Sequence, residues 1–402
     1  MRWLDPKAGR NARLDRKGCS QSESGYPPAP RSLPALYGKE IDEQRQHETF
    51  EPHGTDWPAL TIVFLVYNRR EELRESLGRM LRDSTYPDNR VEVIVVDNAS
   101  TDGSGDMVRD EFPDVRVITH PRNVGVSGWN AGFAAADGDW VLALDDDCYL
   151  PPDGLARAIR AAQDHRADLV SFRVVSTHDP THYFSTEWWA GLLGFWGCAV
   201  LIRAPVIKEL EGYDPEIFVY SNETEFTIRL LDRGYRHLHL PDVVAQHMKK
   251  PLEWKPPART DMRPRHINNL HHGYTVGKLL RPRDALGALV ALVATELRDG
   301  FRLNWRCAVA APAVVRGFVH GLRRRSPVRP EVSRFYRLNY WKFASPWWLS
   351  RPLGDLLRSV PREVVRGRFT EDKREQQAPS RYEEYFAKRP HVYPDGPGVL
   401  QL

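Results

Sequence analysis

The run Trp140-Val-Leu-Ala-Leu-Asp-Asp-Asp-Cys148 closes an apolar strand with three consecutive carboxylates. Adjacent anions repel one another and resist desolvation unless a cation or hydrogen-bond donors compensate. A divalent metal meets that demand. Hard oxygen ligands suit Mg²⁺ or Mn²⁺, and such ions commonly arrive with substrate phosphates rather than inside a complete protein cage. The residues therefore point to a metal-diphosphate site; a solvated acidic turn after a strand fits the same spelling.

The flanking sequence supplies a fold to go with it. Thr61-Ile-Val-Phe-Leu-Val66 and Val91-Glu-Val-Ile-Val-Val96 are short, β-branched and nearly continuously apolar, as strands buried on both faces of a parallel sheet should be. Each runs into a polar loop. Tyr67-Asn-Arg69 precedes a helical pattern reaching about Leu81, and Asp97-Asn-Ala-Ser-Thr-Asp-Gly-Ser104 precedes another reaching about Glu111. A third strand, Val115-Arg-Val-Ile-Thr119, leads to Asn123-Val-Gly125 and then to Ser127-Gly-Trp-Asn-Ala-Gly132, which opens a small-residue helix. The polar clusters all follow strands, where open α/β sheets bind their ligands.

The order Tyr67-Asn68, Val96-Asp97-Asn98-Ala-Ser100-Thr-Asp102-Gly-Ser104, Asn123-x-Gly125, Asn130-x-Gly132 and Leu144-Asp-Asp-Asp147 resembles the family 2 glycosyltransferases of the GT-A fold. The resemblance continues through Gly197-Cys-Ala-Val-Leu-Ile-Arg203, Gly212-Tyr-Asp214 and Phe218-Val-Tyr-Ser-Asn-Glu-Thr-Glu-Phe226, ending in Arg229-Leu-Leu-Asp-Arg-Gly-Tyr235. It implies an α/β fold: a mixed sheet flanked by helices, with a helical C-terminal appendage. It also implies a first half that binds a nucleoside-diphosphate sugar and a second half that binds the acceptor. Carried over, Tyr67 and Asn68 lie near the base, Asp97 bonds its imide edge, and Asn123, Asn130 and Asp146 line the donor. Asp145 contacts ribose or metal, and Asp147 is the principal ligand of Mn²⁺ or Mg²⁺. From the residues alone, Asp97 also fits a loop-capping carboxylate, and Asn123 and Asn130 fit turn or cap positions.

Relatives carry a Glu-Asp pair after the Phe-x-Tyr segment, the Asp deprotonating the acceptor hydroxyl. Here the aligned pair is Asn222-Glu223, with Glu225 two positions on. Glu223 is the implied base, and Asn222 and Glu225 are the implied acceptor contacts. A helix start would explain the same cluster, with Ser221 or Asn222 as N-cap and Glu225 facing the positive terminus. His247, after the strand-like Leu238–Gln246 run, would complete the Asp147 site. Among Trp188, Trp189 and Trp196, the last is the favoured acceptor wall, since aromatic faces stack on sugars while also filling ordinary cores. The mechanism implied is metal-assisted, inverting transfer of one hexose. dTDP- or UDP-hexose is the favoured donor, from a rhamnosyltransferase-like likeness around Arg316-Gly-Phe-Val-His-Gly-Leu322. The acceptor hydroxyl would belong to a lipid-linked saccharide or secondary-metabolite scaffold. Other assignments are a catalytically silent sugar-nucleotide binder or a transferase acting on a protein side chain. No Gln-x-x-Arg-Trp marks a processive synthase, and no Gly-x-Gly-x-x-Gly marks a dinucleotide fold.

Composition sets outer bounds. With 402 residues and a net charge of +4, bulk electrostatics do not suggest a nucleic-acid binder. No apolar stretch reaches the roughly 20 residues that span a bilayer, the first residues lack a signal-peptide core, and Cys19, Cys148, Cys198 and Cys307 show no paired spacing. These features suit a cytoplasmic enzyme, with the inner membrane face as an alternative address. Residues 1–56 read as an irregular extension, 57–250 as the catalytic domain, 251–270 as a flexible loop near the site, 271–368 as a helical basic appendage and 369–402 as a polar tail. Between Arg316 and Arg368 stand thirteen Arg and Lys against three acids, interleaved with aromatics. That pattern fits contact with an anionic membrane, but arginine stems covering apolar surface make packing on the catalytic domain the favoured expectation.

Overall fold

The computed structural model describes residues 57–178, 194–249, 263–302, 305–344 and 399–400. The expected extension over 1–56, the pair Trp188 and Trp189, and nearly all of the stretch beyond 344 lie outside the described residues. Strands β1 (Leu60–Val66), β2 (Val91–Asp97), β3 (Arg116–Thr119) and β4 (Trp140–Asp145) alternate with helices α1 (Arg70–Asp83), α2 (Ser104–Glu111) and α3 (Trp129–Ala135). Then follow β5 (Cys148–Tyr149), α4 (Gly154–Asp164), β6 (Leu169–Ser176), β7 (Ala199–Arg203), α5 (Ala204–Leu210), α6 (Asn222–Asp232) and β8 (His237–His247).

The strands form a mixed sheet in the order β3-β2-β1-β4-β7-β6-β8-β5. β1 lies parallel to both β2 and β4, whereas β7 is antiparallel to β4. Period-two alternation explains why the strand sequences read as unbroken apolar runs. In β1, Leu60, Ile62, Phe64 and Val66 enter one core, covered by α1, α2 and α4, while Val63 enters the other. β4 repeats the division, with Trp140, Leu142 and Leu144 against Val141 and Ala143. Cys148 and Cys198 are buried free thiols whose sulfurs lie 3.7 Å apart.

The second core extends into the C-terminal helices α7 (Arg263–Leu279), α8 (Pro282–Arg302), α9 (Trp305–Arg323) and α10 (Pro330–Ala344). Val276 and Leu279 of α7, Ala288 of α8 and Phe335, Tyr336 and Tyr340 of α10 join the same cluster as Phe226 and Leu230 of α6. Phe335, Tyr336 and Tyr340 are thus interior. A correction concerns 251–270: residues 263–270 belong to helix α7, which begins at Arg263, and 251–262 lie outside the described residues. Arginines and Pro264 read as loop, but proline is tolerated in a first helical turn, where its missing N–H goes unused.

α7 and α9 meet through glycines. A Cβ at Gly273 or Gly277 would overlap the carbonyls of Val314 and Phe318, and one at Gly317 or Gly321 those of Leu270 and Tyr274. Only hydrogen fits between these backbones.

Candidate active site

Because β1, β2 and β4 are parallel and in register, Val66 sits opposite Asp97 and Leu65 opposite Asp145. Their carboxyl ends therefore deliver Tyr67–Arg69, Asp97 and the aspartate run to one rim. Asn68 takes a φ of 54°, a left-handed conformation that asparagine accepts more readily than most residues. Its Oδ1 accepts the Thr101 N–H at 2.7 Å and its own N–H donates to Ser100 Oγ at 3.0 Å. Asp97 is buried and accepts the Ser100 N–H at 2.8 Å. Tyr67 stands 46% exposed at the mouth.

Asn123 and Asn130 face other loops. Asn123 Oδ1 accepts from the Asn98 amide at 3.0 Å and the Gly125 N–H at 2.8 Å. Asn130 clamps Tyr213 from both sides, donating to its carbonyl at 2.7 Å and accepting its N–H at 2.8 Å. Asn98, quoted in the motif but given no role, is the joint of this rim: it donates to the Gly125 carbonyl and accepts from the Val124 N–H, both at 3.0 Å.

Antiparallel pairing of β5 with β8 sets Cys148 opposite His247, which brings His247 Nε2 to 3.0 Å from Asp147 Oδ1. One ligand atom from each of Asp145, Asp147 and His247 lies within 4.8 Å of the others. Arg69, at the entrance of α1, donates to Asp147 and reaches Asp146 Oδ1 at 3.4 Å. Asp146 also accepts the Tyr67 N–H at 3.4 Å. Burial pushes the Asp145 and Asp146 carboxyls above the usual range, and the neighbouring aspartates add to this. Burial pushes Asp147 the same way, but the hydrogen bond and charge of His247, with Arg69, outweigh it and hold this carboxyl low. Three crowded carboxylates against one guanidinium leave negative charge that a divalent cation would balance. The two hard carboxylate oxygens suit Mn²⁺ or Mg²⁺, with the imidazole as a third donor beside them.

β7 brings in the other half. Since β7 runs antiparallel to β4, Ala199 pairs with Leu144 and the Asp145 N–H donates to the Cys198 carbonyl at 2.9 Å. One residue before, the Gly197 N–H bonds the Glu223 carboxylate, which is partly buried in the first turn of α6. Burial pushes the Glu223 carboxyl up to about 7, and Asp145 contributes in the same direction. Tyr220 and Ser221, immediately before α6, both take left-handed φ values of 65° and 66°. Adjacent non-glycine residues in this region store strain of roughly 1–3 kcal/mol each and cluster at functional sites. Ser221 occupies the N-cap position without capping the helix, its hydroxyl donating instead to Asn268 Oδ1 at 3.1 Å.

Asn222 is buried beside Glu223. Glu225 points elsewhere: wholly buried, it receives Arg229 through two nitrogens and Lys278 Nζ at 2.9 Å. Lys278 also reaches Asp214 at 2.5 Å, which accepts from Tyr274 Oη at 2.8 Å. Trp196 is partly buried against the first core. A cleft of about 350 Å³ lies beyond this ion-paired seam, not over the aspartates; Asp214, Arg229 and Lys278 line it.

Sequence reading did not single out Gly197. A Cβ there would overlap Glu223 Oε1, so Gly197→Ala is expected to displace the carboxylate. Turnover in a transfer assay should fall at least about tenfold, because misplacement by 1 Å can cost about 100-fold, while the far-UV dichroism stays native.

A mixed sheet whose parallel carboxyl edge gathers aspartates, with a histidine and a facing glutamate supplied by its antiparallel half, defines an α/β protein of the GT-A kind. Residues 61–224 match the sequence model of Glycosyl transferase family 2. The chain is 28% identical over 246 residues to the probable glycosyltransferase YdaM of Bacillus subtilis, covering 52% of this chain and 57% of that protein. It is 34% identical over 110 residues to an undecaprenyl-phosphate 4-deoxy-4-formamido-L-arabinose transferase of Proteus mirabilis, covering 26% and 34%. Among solved structures, the mannosyltransferase PcManGT from Pyrobaculum calidifontis, in complex with GDP-Man and Mn²⁺, is 22% identical with a TM-score of 0.45. That match covers 72% of this chain and 85% of the other.

Proposed function

We propose that the chain is a metal-dependent, inverting glycosyltransferase that moves one hexose from a nucleoside-diphosphate sugar to an acceptor hydroxyl. The observation that carries this reading is the backbone bridge between the two halves of the site. Through Gly197 and Cys198 it joins Glu223 to Asp145 in the aspartate and histidine group. Asp145, Asp147 and His247 would hold Mn²⁺ or Mg²⁺. Bound there, the cation supplies positive charge against a diphosphate leaving group.

The remaining roles belong to side chains. Tyr67, Asn68 and Asp97 would receive the base at the open rim. Asn123 and Asn130 would act on the donor by fixing the loops around it, since their amides are engaged there. Glu223, its carboxyl near 7, is matched to taking a hydroxyl proton as the new C–O bond forms. Attack from the face opposite the departing diphosphate inverts the anomeric centre without a covalent enzyme intermediate. Trp196 and Asn222 would shape the acceptor side, while Glu225 would act on it only by anchoring α6. dTDP- or UDP-hexose remains the proposed donor. The undecaprenyl-phosphate relatives align over too short a span to carry their acceptor across, so a lipid-linked saccharide and a secondary-metabolite scaffold both stay in the acceptor class.

The test is a thermal-shift panel of dTDP-, UDP- and GDP-sugars with Mn²⁺ or with chelator, followed by transfer assays on the stabilising donor. Metal-dependent stabilisation by one nucleotide supports the proposal; no response to any sugar nucleotide overturns it. Arg69 offers a second check. Its guanidinium lies on the carboxylates that would take the metal, so Arg69→Gln should tighten Mn²⁺ binding severalfold in a spin-resonance titration of the substrate-free protein. Unchanged or weaker metal affinity would remove Arg69 as a competitor.

A further inference from the structure

The outward faces of α8 and α9 are apolar where a solvent-facing helix is ordinarily polar. On α8, Leu286, Val290 and Leu297 recur at i, i+4 and i+11 and are 59%, 47% and 53% exposed. On α9, Val309, Val315, Val319 and Leu322 are 40–53% exposed. The two helices pack on each other, and their stripes run about 16 and 20 Å at 1.5 Å per residue. The opposite faces account for this orientation: the glycines of α9 lock it against α7, and Ala285, Ala288 and Ala291 of α8 enter the second core.

Charge on these helices is sorted as sharply. α9 contains no acid. The acids of α8 all turn inward, Asp284 to Arg337 at 3.2 Å and Glu296 and Asp299 to Arg265 at 2.7 Å each. Arg283, Arg316 and Arg323 remain exposed and form no ion pair with a described residue. None of the described helices is long and apolar enough to cross a membrane.

We propose that α8 and α9 form a docking face for an anionic lipid bilayer, with valine and leucine entering the headgroup boundary and the three arginines meeting lipid phosphates. The chemistry is that of interfacial amphipathic helices: an apolar stripe with a basic rim. A second copy of the chain fits less well, because the face brings arginine against arginine and holds no exposed acid to pair with it. A protein partner fits less well too, since binding hot spots favour Trp and Tyr over Val and Leu. The inference rests on these two helices and not on the transfer chemistry.

Co-sedimentation of the full chain with phosphatidylglycerol-containing vesicles tests it, against pure phosphatidylcholine and at ionic strengths of about 0.1 and 1 M. Binding is expected to anionic vesicles only and to be lost at high salt. Arg316→Gln and Arg323→Gln should each weaken it about fivefold, and Val290→Asp with Val319→Asp should abolish it, with unchanged melting temperatures. Failure of the full chain to sediment with anionic vesicles overturns the proposal, as does binding that neither variant pair alters. A concentration-dependent dimer broken by Val319→Asp, without vesicle binding, would make the face an interface between copies instead.

Discussion

Glu223→Gln is expected to make the protein more stable and the enzyme nearly inactive. The folded carboxyl titrates at about 7 against an ordinary 4.5, so folding favours its protonated form. The stability it contributes is complete below about pH 4.5 and is lost as pH rises through 7. Glutamine cannot ionise. The melting temperatures of variant and wild type should coincide below about pH 4.5 and separate progressively up to about pH 7, above which the variant's gain stays constant at roughly 1–3 kcal/mol. Turnover should meanwhile drop about 10²- to 10⁴-fold, the range of a general base. In the wild type, kcat/KM should rise with a single ionisation at or below pH 7, since a cation beside Asp145 would cancel the charge that helps to raise Glu223. Wild-type turnover in the variant, with a verified acceptor, would exclude Glu223 as the base.

Asp147→Asn should abolish the metal response while leaving the fold intact. Asp147 is the one carboxylate held ionised by both His247 and Arg69, and the amide keeps its size but not its charge. Loss of an outer-shell partner typically costs 10- to 100-fold in metal affinity, so loss of a direct ligand should exceed about 100-fold. Donor affinity measured by calorimetry with Mn²⁺ should then fall to the level seen with chelator. Equal donor affinity of wild type in Mn²⁺ and in chelator would reject the metal bridge altogether.

The strands were legible because burial on both faces spells itself as uninterrupted Val, Ile and Leu, and the rim followed because parallel strands end together. Asp147 and His247 are a hundred positions apart, yet a likeness to known proteins paired them and β5–β8 pairing sets them side by side. Arg69 was harder to read. Its sequence neighbours are polar, and its meeting with the aspartates depends on β1 and β4 being adjacent in register. Glu225 could have been separated from Glu223 by helical geometry alone. Two residues turn a helix by about 200°, and Arg229 stands at the i+4 position that favours pairing. The start of α7 was hidden because arginine and proline fit both a loop and a first helical turn.

The family match ends at residue 224, one position after the proposed base, but the load on that base is carried from much further along the chain. Lys278 of α7 grips Glu225 in the first turn of α6, and α7 is held in turn by the glycine seam with α9. The C-terminal helices are therefore a buttress for α6, and the segment matched by the family model is not a detachable module. A gene fragment trimmed to the matched segment would lose the brace on α6, which carries the proposed base Glu223. Grafting a different acceptor specificity onto this scaffold would have to keep the whole chain of supports, from the seam through Lys278 to α6.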